Sequence, residues 1–150
     1  MDDDPGLATR MVDELRLRPW RPADAAPVLD ACQDPDIARW VALPHPFGPD
    51  EARDFISDVQ AMWRDGTGTP FAVADADTDQ VLGAVTRFGP DGHMATFGCW
   101  VAAHARGRGV GSRALRLLAD WTFATTPTVG IDGCIMVGNE GSERMVSRLG

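Results

Sequence analysis

Residues 106–112 read RGRGVGS, a stretch in which glycine occupies every second position from 107 to 111. An ordered glycine costs roughly 0.5–1 kcal/mol relative to alanine, because it loses more backbone freedom on folding. Three glycines this close together therefore indicate a backbone with unusual dihedral angles or a close approach to another molecule. An alternating apolar segment precedes the stretch and a helix-spaced apolar series follows it, so the glycines stand at a helix N-terminus.

A helix N-terminus that follows a strand is a favourable place for an anion. The first amide N–H groups of a helix have no intrahelical acceptor, and the helix dipole adds positive potential at the same point. Because glycine has no Cβ atom, a ligand can approach these amides closely. The stretch therefore predicts a loop that binds a phosphate or a pyrophosphate.

The sequence on either side of this loop predicts one α/β domain with the element order β-α-α-β-β-β-α-β-α. Alternating and continuous apolar segments bounded by turn residues predict strands, three of them in an antiparallel meander before the loop. The predicted strands are 14–18, 70–74, 81–88, 95–101 and 131–137. Helical spacing with proline or glycine at the ends predicts helices at 22–32 with a further turn at 36–41, at 49–65, at 110–124 and at 142–149.

Composition limits the classes of function. The chain has 150 residues and a formal net charge of −8, which argues against a nucleic-acid partner. The surplus of acids lies within residues 1–97, whereas residues 98–150 have more arginines than acids, which suits a small anion. The sequence has no apolar run of the roughly 18 residues that a membrane span needs, and its N-terminus is unlike a secretory signal. We expect a flexible leader at 1–11, one domain at 12–150, no membrane partner and a cytoplasmic location.

The cysteines and histidines predict neither a disulfide framework nor a metal site. Cys32, Cys99 and Cys134 are far apart and lack the spacing of metal ligands, so buried reduced thiols are expected. The three histidines form no ligand cluster with them: His45, His93 and His104.

Two common phosphate-binding motifs do not fit the loop. The P-loop motif GxxxxGK[ST] requires a lysine, and the sequence contains none. The dinucleotide fingerprint GxGxxG would need glycine where the chain has Ser112, and the loop does not open a parallel βαβ unit. An arginine-glycine RNA-binding tail is disfavoured by the position of the loop between two periodic elements. The motif that remains is [QR]xxGxG before a helix, formed by Arg106, Gly109 and Gly111.

With this motif in this element order, the sequence resembles the GNAT superfamily of acyl-CoA N-acyltransferases. LRLRPWRPADAAPVLDACQDPDIARWV at 15–41 and GCWVAAHARGRGVGSRALRLLADWTF at 98–123 resemble its RimL-like branch, which acetylates protein N-termini and other amines. The resemblance extends from Leu15 to Gly150 and includes Asn139, Ser142 and the RLG at 148–150. It implies a mixed, mostly antiparallel central sheet flanked by helices, acetyl-CoA as the cofactor, and a primary amine of a protein N-terminus or a small molecule as the acceptor.

The resemblance also implies which residues hold the cofactor. Backbone groups of Trp100 and Val101 would pair with the pantetheine arm as an added strand does. Asn139 would contact the cofactor with its side chain, and a turn residue is the alternative interpretation. Backbone amides of the loop would hold the pyrophosphate: Arg106, Gly107, Arg108, Gly109, Val110, Gly111 and Ser112. We expect Arg113 and Arg116 to be solvated charges on the following helix.

The usual catalytic residues of the family are missing. Its members often have a glutamate base at the position of Thr96 and a tyrosine acid at that of Val146, and this chain has no tyrosine. Ser142 is the candidate acid for the departing thiolate, with a helix N-cap as the alternative. His93 is the candidate base and His45 a second, with surface histidines as the alternative. Positioning of the reactants could also supply several kcal/mol without either group.

The resemblance implies two further strands after Gly150 that would complete the sheet. Three interpretations stay open: a shortened chain, a homodimer in which a second copy completes the sheet, or a degenerate member of the family. An uncovered apolar strand at 131–137 would be an edge prone to pairing. The alternative function is therefore a non-catalytic module that binds CoA or a protein, and a nucleotide-binding regulator is a third.

Overall fold

The computed structural model describes residues 11–12, 15–41, 43–89, 92–133, 144 and 147. Within these residues, strands form one sheet whose spatial order follows the chain order. The strands are β1 Met11–Val12, β2 Leu15–Arg18, β3 Gly68–Asp75, β4 Val81–Phe88, β5 Met94–Val101 and β6 Gly130–Asp132. Neighbouring strands are antiparallel except β5 and β6, which run parallel.

Helices cover both faces of this sheet. They are α1 Ala25–Ala31, α2 Pro35–Trp40, α3 Pro49–Asp65 and α4 Val110–Thr125, with 3-10 turns at Pro22–Asp24 and Ala103–Ala105. The mixed, mostly antiparallel sheet flanked by helices confirms the predicted fold class. Predicted and observed bounds agree to within two residues for every predicted element up to the end of α4, whereas β1 and the turn at Ala103–Ala105 were not predicted.

The two ends of the chain are described in part. Met11, which we placed in the leader, pairs with Arg16 in the short β1–β2 ladder. The remainder of the expected leader, and positions 134–137 of the predicted last strand, lie outside the described residues. Of the predicted final helix, Arg144 and Ser147 are described, and both are helical and exposed.

Alternation along the strands divides the core into two apolar clusters. On the α4 side, buried strand residues such as Leu17, Phe71 and Val85 pack with residues of α4, among them Leu118 and Trp121. Burying a side chain of this size contributes roughly 1.5–3 kcal/mol. The sheet is therefore fixed firmly against α4, the helix that begins at the glycine loop of residues 106–112.

The second cluster lies between the opposite sheet face and helices α1 to α3. It contains Trp20 and Trp100, whose ring centroids are 6.4 Å apart, together with Phe47 from the segment between α2 and α3. Along β5, Cys99 and Val101 pack on the α4 side and Trp100 packs on this side. By the same alternation, the other even-numbered residues of β5 belong to the α1–α3 face.

An ion-pair cluster joins β2 to the turn between β3 and β4. Arg18 is only 4% exposed and forms a bidentate pair with Asp24, with bonds of 2.8 and 2.9 Å. Arg16, Arg18 and Arg21 also donate to the carboxylate of Asp79, which lies in the left-handed region at φ 61°. Partial burial of Asp79 acts to raise its pKa, but the arginine hydrogen bonds prevail and hold that pKa below its ordinary value.

Candidate active site

The glycine loop has the backbone conformation that its sequence predicts. Gly107 and Gly109 have φ values of 79° and 70°, in the left-handed region that residues with a Cβ atom rarely adopt. Gly109 is the N-cap of α4, and it has no side chain to cap the first amides of the helix. A Cβ placed on Gly107 would meet no described atom within 4 Å, so the backbone angle and not crowding requires glycine there.

Arg106, the first residue of the loop, is bound to the start of α2. Its Nη2 lies 2.6 Å from Asp34 Oδ2, and its Nη1 lies 3.6 Å from Asp36 Oδ2. Asp34 is also the N-cap of α2 and accepts from the backbone N–H of Asp36 at 3.0 Å. The guanidinium of Arg106 thus anchors the loop to a neighbouring helix.

Arg113 holds the other end of the loop, and the expectation that it is a solvated charge is wrong. Its side chain is half-buried and donates from Nε to the carbonyl of Gly109 at 3.3 Å and from Nη2 to that of Arg108 at 2.7 Å. These carbonyls belong to the peptide planes that carry the N–H groups of Gly109 and Val110. One guanidinium therefore fixes the orientation of two amides at the start of α4.

The edge of β5 offers backbone groups beside this loop. Ala102 N–H donates to Leu82 O at 2.8 Å, and residues along an antiparallel ladder alternate between bonded and non-bonded pairs. The alternation directs the backbone N–H and C=O groups of Trp100 toward β4. It directs those of Val101 and Cys99 toward the opposite edge of β5. Of the two residues predicted to pair with a pantetheine arm, only Val101 therefore presents its backbone to that edge. Cys99, two residues earlier in the strand, also presents its backbone to that edge.

The same edge is occupied by β6 at the beginning of β5. The described parallel ladder pairs Met94, Ala95 and Thr96 with residues 130–132. At its last pair, Thr96 Oγ1 donates to Asp132 Oδ1 at 2.6 Å, and both residues are exposed. The two strands thus bring a hydroxyl and a carboxylate together at the position where the family often has a glutamate.

Comparison with known proteins agrees with this geometry. Residues 14–150 match the model of the acetyltransferase (GNAT) domain family. The chain belongs to the GNAT acetyltransferase family. A sequence relative, the uncharacterized N-acetyltransferase p20 of Bacillus licheniformis, is 21% identical over 145 residues, which are 95% of this chain and 82% of that protein.

Solved structures of similar fold include acetyltransferases of the RimL-like branch. One, from Vibrio cholerae and provisionally described as a ribosomal-protein-serine acetyltransferase, has a TM-score of 0.84 at 23% identity over 93% of this chain and 80% of its own. Another is RimL, the ribosomal L7/L12 alpha-N-protein acetyltransferase in complex with coenzyme A, with a TM-score of 0.82 at 14% identity over 93% and 81%. The predicted resemblance is confirmed, and so is acetyl-CoA as the cofactor of this GNAT domain.

The predicted site residues fall into three groups in this GNAT domain. The glycine loop and Val101 lie together at the junction of β5 and α4. His93 is exposed, and its carbonyl accepts from Val129 N–H at 2.8 Å and Gly130 N–H at 3.3 Å, so its backbone anchors the start of β6. His93 precedes Thr96 by three residues, so their Cα atoms are about 10 Å apart in extended backbone. Asn139, Ser142 and Val146 lie outside the described residues.

The remaining titratable groups add little to the site. Burial raises the pKa of the Cys32 thiol to about 11 and that of Cys99 to about 12, and Cys134 lies outside the described residues. His45 and His104 are exposed. In the part of the chain that the structure describes, we find no cluster of potential metal ligands and no helix long and apolar enough to cross a membrane.

Sequence reasoning did not single out Cys99, with its outward backbone, or Asp132, the partner of Thr96. The role of Cys99 depends on which residues of β5 bond to β4, and no side-chain pattern reports that alternation. Asp132 stands alone near the start of an apolar segment and belongs to no motif. Thr96 was the one sequence signal for Asp132. Because the family often has a glutamate at the position of Thr96, its absence is a reason to look for a carboxylate on the adjacent strand.

Proposed function

We propose that this chain is an acetyl-CoA-dependent N-acetyltransferase that acts on a primary amine by direct transfer. The observation that supports it best is the junction of β5 with α4. There, two left-handed glycines open a helix N-terminus beside a strand edge with outward backbone groups. This pair of features suits a ligand that has a pyrophosphate followed by an amide-containing arm.

Each part of the junction has a task in binding. Amides of the glycine loop would bind the pyrophosphate, and Arg106 and Arg113 would keep those amides in place. The outward backbone groups of Val101 and Cys99 would pair with the arm, and Asn139 would add a side-chain contact. Acetyl-CoA supplies the acetyl group as a thioester, so the chain must place an amine beside it and provide for its protons.

The acceptor is proposed to be a protein N-terminus or a small-molecule amine. RimL and the Vibrio cholerae structure are both described as acetyltransferases of ribosomal proteins, which supports the first. Ser142 would protonate the departing thiolate, and His93 is the base that the sequence suggests. A cytoplasmic location suits such acceptors.

The test is a thiol-release assay with acetyl-CoA and a panel of primary amines. The panel contains peptides that begin with alanine or serine, a polyamine and an arylalkylamine. We expect release of CoA thiol that depends on at least one amine, with the acetylated product confirmed by mass spectrometry. Absence of turnover on every acceptor, with acetyl-CoA still bound, would contradict the proposal.

That result would instead support the second candidate function, a non-catalytic module that binds CoA or a protein partner. Thr96 favours it, because a threonine at the usual base position cannot itself take a proton near neutral pH. An oligomer is proposed as well, since β6 lies at the edge of the described sheet. Sedimentation analysis of the full chain would show a dimer or exclude it.

A further inference from the structure

We propose that Asp132 is the catalytic carboxylate of this chain, which receives the ammonium group of the acceptor and takes its proton while Thr96 holds it in place. The inference rests on the proposed acetyl transfer and adds a residue and an acceptor class to it. It starts from the contact between β5 and β6, where Thr96 Oγ1 and Asp132 Oδ1 are 2.6 Å apart.

The Thr96–Asp132 pair is placed by strand register. Thr96 and Asp132 are partners at the last described position of the β5–β6 ladder, so both side chains project on the same face. That face is the one on which α1 to α3 pack farther along the sheet, at Trp100, and at Thr96 and Asp132 it is exposed. Within the described residues, Thr96 is the only hydrogen-bond partner of this carboxylate, and the second carboxylate oxygen is left for a ligand.

The position of the Thr96–Asp132 pair along β5 coincides with the expected end of the pantetheine arm. An arm that pairs with Val101 and Cys99 runs toward Met94 along the part of the β5 edge that the described residues of β6 do not pair with. It must stop where β6 takes over that edge, and the described ladder begins at Thr96 and Asp132. Cys99 and Thr96 are about 10 Å apart along the strand. The reacting end of the arm therefore comes to lie beside the Thr96–Asp132 pair.

An exposed aromatic ring lies next to this pair. Phe88 is opposite Thr96 across β4 and β5 and is 47% exposed. Its ring covers Gly98, because a Cβ placed on that glycine would be only 2.7 Å from Phe88 Cε2. Met94, two residues from Thr96 on the same face, is 56% exposed. A carboxylate flanked by an aromatic ring and a thioether suits a primary ammonium on an apolar stem.

The chemical step balances with these groups. Asp132 accepts one proton from the ammonium, which leaves a lone pair on the nitrogen. That pair forms the bond to the acetyl carbonyl carbon, and the bond between this carbon and sulfur breaks with its electrons on sulfur. The second proton, lost from nitrogen as the amide forms, ends on the thiolate, and Asp132 returns the first proton to water.

The test compares Asp132→Asn with wild type in the full chain, with 2-phenylethylamine and an alanine-first peptide as acceptors. We expect acetyl-CoA affinity, measured by calorimetry, to stay within about twofold, because Asp132 lies beyond the arm. For the better acceptor, kcat should fall about 100-fold, as is typical for loss of a general base. Calorimetric binding of the same amine to the CoA complex should weaken. Asp120→Asn, on the exposed face of α4, is the matched control and should behave as wild type.

A rescue variant separates catalysis from structure. Thr96→Glu in the Asp132→Asn background places a carboxylate on the neighbouring strand at the same point, and we expect it to recover at least tenfold of the lost kcat. His93→Ala should leave kcat within about threefold if Asp132 is the base. Failure of the rescue together with a large loss in His93→Ala would assign the proton to His93 and overturn the inference.

The outcomes also distinguish this inference from the proposed function. If wild type acetylates an amine and Asp132→Asn does so at the same rate, the inference is wrong and the proposed function stands. If wild type binds acetyl-CoA but acetylates none of the amines, the proposed function fails, and the inference fails with it.

Discussion

At the scale of single residues, we propose that cofactor binding rests on backbone groups of the glycine loop, which charged side chains hold in position. Gly107 and Gly109 supply left-handed backbone at the start of α4. Arg106 pairs with Asp34, and Arg113 donates to two loop carbonyls. Arg106 and Arg113 thus act as braces of the loop backbone. The sequence could not show this, because the same residues suit direct contact with a phosphate equally well.

Arg113→Lys tests the bracing role against a role in long-range attraction. Lysine keeps the charge but cannot form the two-point contact of the guanidinium with the loop carbonyls. We expect the Kd for acetyl-CoA to rise about three- to tenfold, equivalent to roughly 0.7–1.4 kcal/mol, and Arg113→Ala to be only slightly worse. Arg64→Ala, which removes an exposed charge at the end of α3, is the control. A Kd for Arg113→Lys equal to that of wild type would contradict the bracing role.

At the scale of elements, proline and glycine at the helix ends made the helices predictable from sequence. The contact between β5 and β6 was not predictable, because it depends on strand register. Pro49 and Gly66 bracket α3, and Gly66 has the left-handed conformation of a helix C-terminus with φ 69°. In contrast, the contact between Thr96 and Asp132 depends on how β6 aligns with β5. Tertiary packing sets that alignment, and a shift by one residue would place Asp132 on the opposite face. The sequence did not predict strand β1, because two residues are too few to show the alternation of apolar and polar side chains.

The arginine cluster on Asp79 predicts how stability depends on pH. The pKa of Asp79 is lowered in the folded chain, so its contribution is present above the unfolded pKa of about 3.8 and is lost as pH falls through the folded value. We expect the free energy of unfolding to drop between about pH 5 and pH 3, and Asp79→Asn to remove part of that slope. Because Asp79 is about one-third exposed, its share is about 1 kcal/mol or less.

Urea titrations at several pH values measure this dependence. Asn tolerates the left-handed backbone at position 79, so the substitution removes the charge without straining the turn. Asp77→Asn, an exposed residue of the same turn, is the matched control and should keep the wild-type slope. Identical slopes for Asp79→Asn and wild type would mean that the three arginine contacts contribute nothing to stability.

At the scale of the whole molecule, one junction links fold to function. The order of strands and helices could be predicted because apolar periodicity and turn residues mark each element. The family resemblance then indicated the cofactor, and membership of the GNAT family bears it out. The acceptor side proposed above could not be predicted, since its residues lie on three strands, Phe88, Thr96 and Asp132, and belong to no local motif.

The central claim is that the glycine loop at the start of α4 binds acetyl-CoA, and calorimetric titration of acetyl-CoA tests it most directly. Gly109→Glu would place a carboxylate at the pyrophosphate amides and strain a left-handed position. Gly66→Glu imposes the same strain at φ 69° in open space after α3, away from the loop. We predict that Gly109→Glu raises the Kd at least tenfold, about 1.4 kcal/mol, while Gly66→Glu binds as wild type does. Equal affinity of Gly109→Glu and wild type would contradict the account.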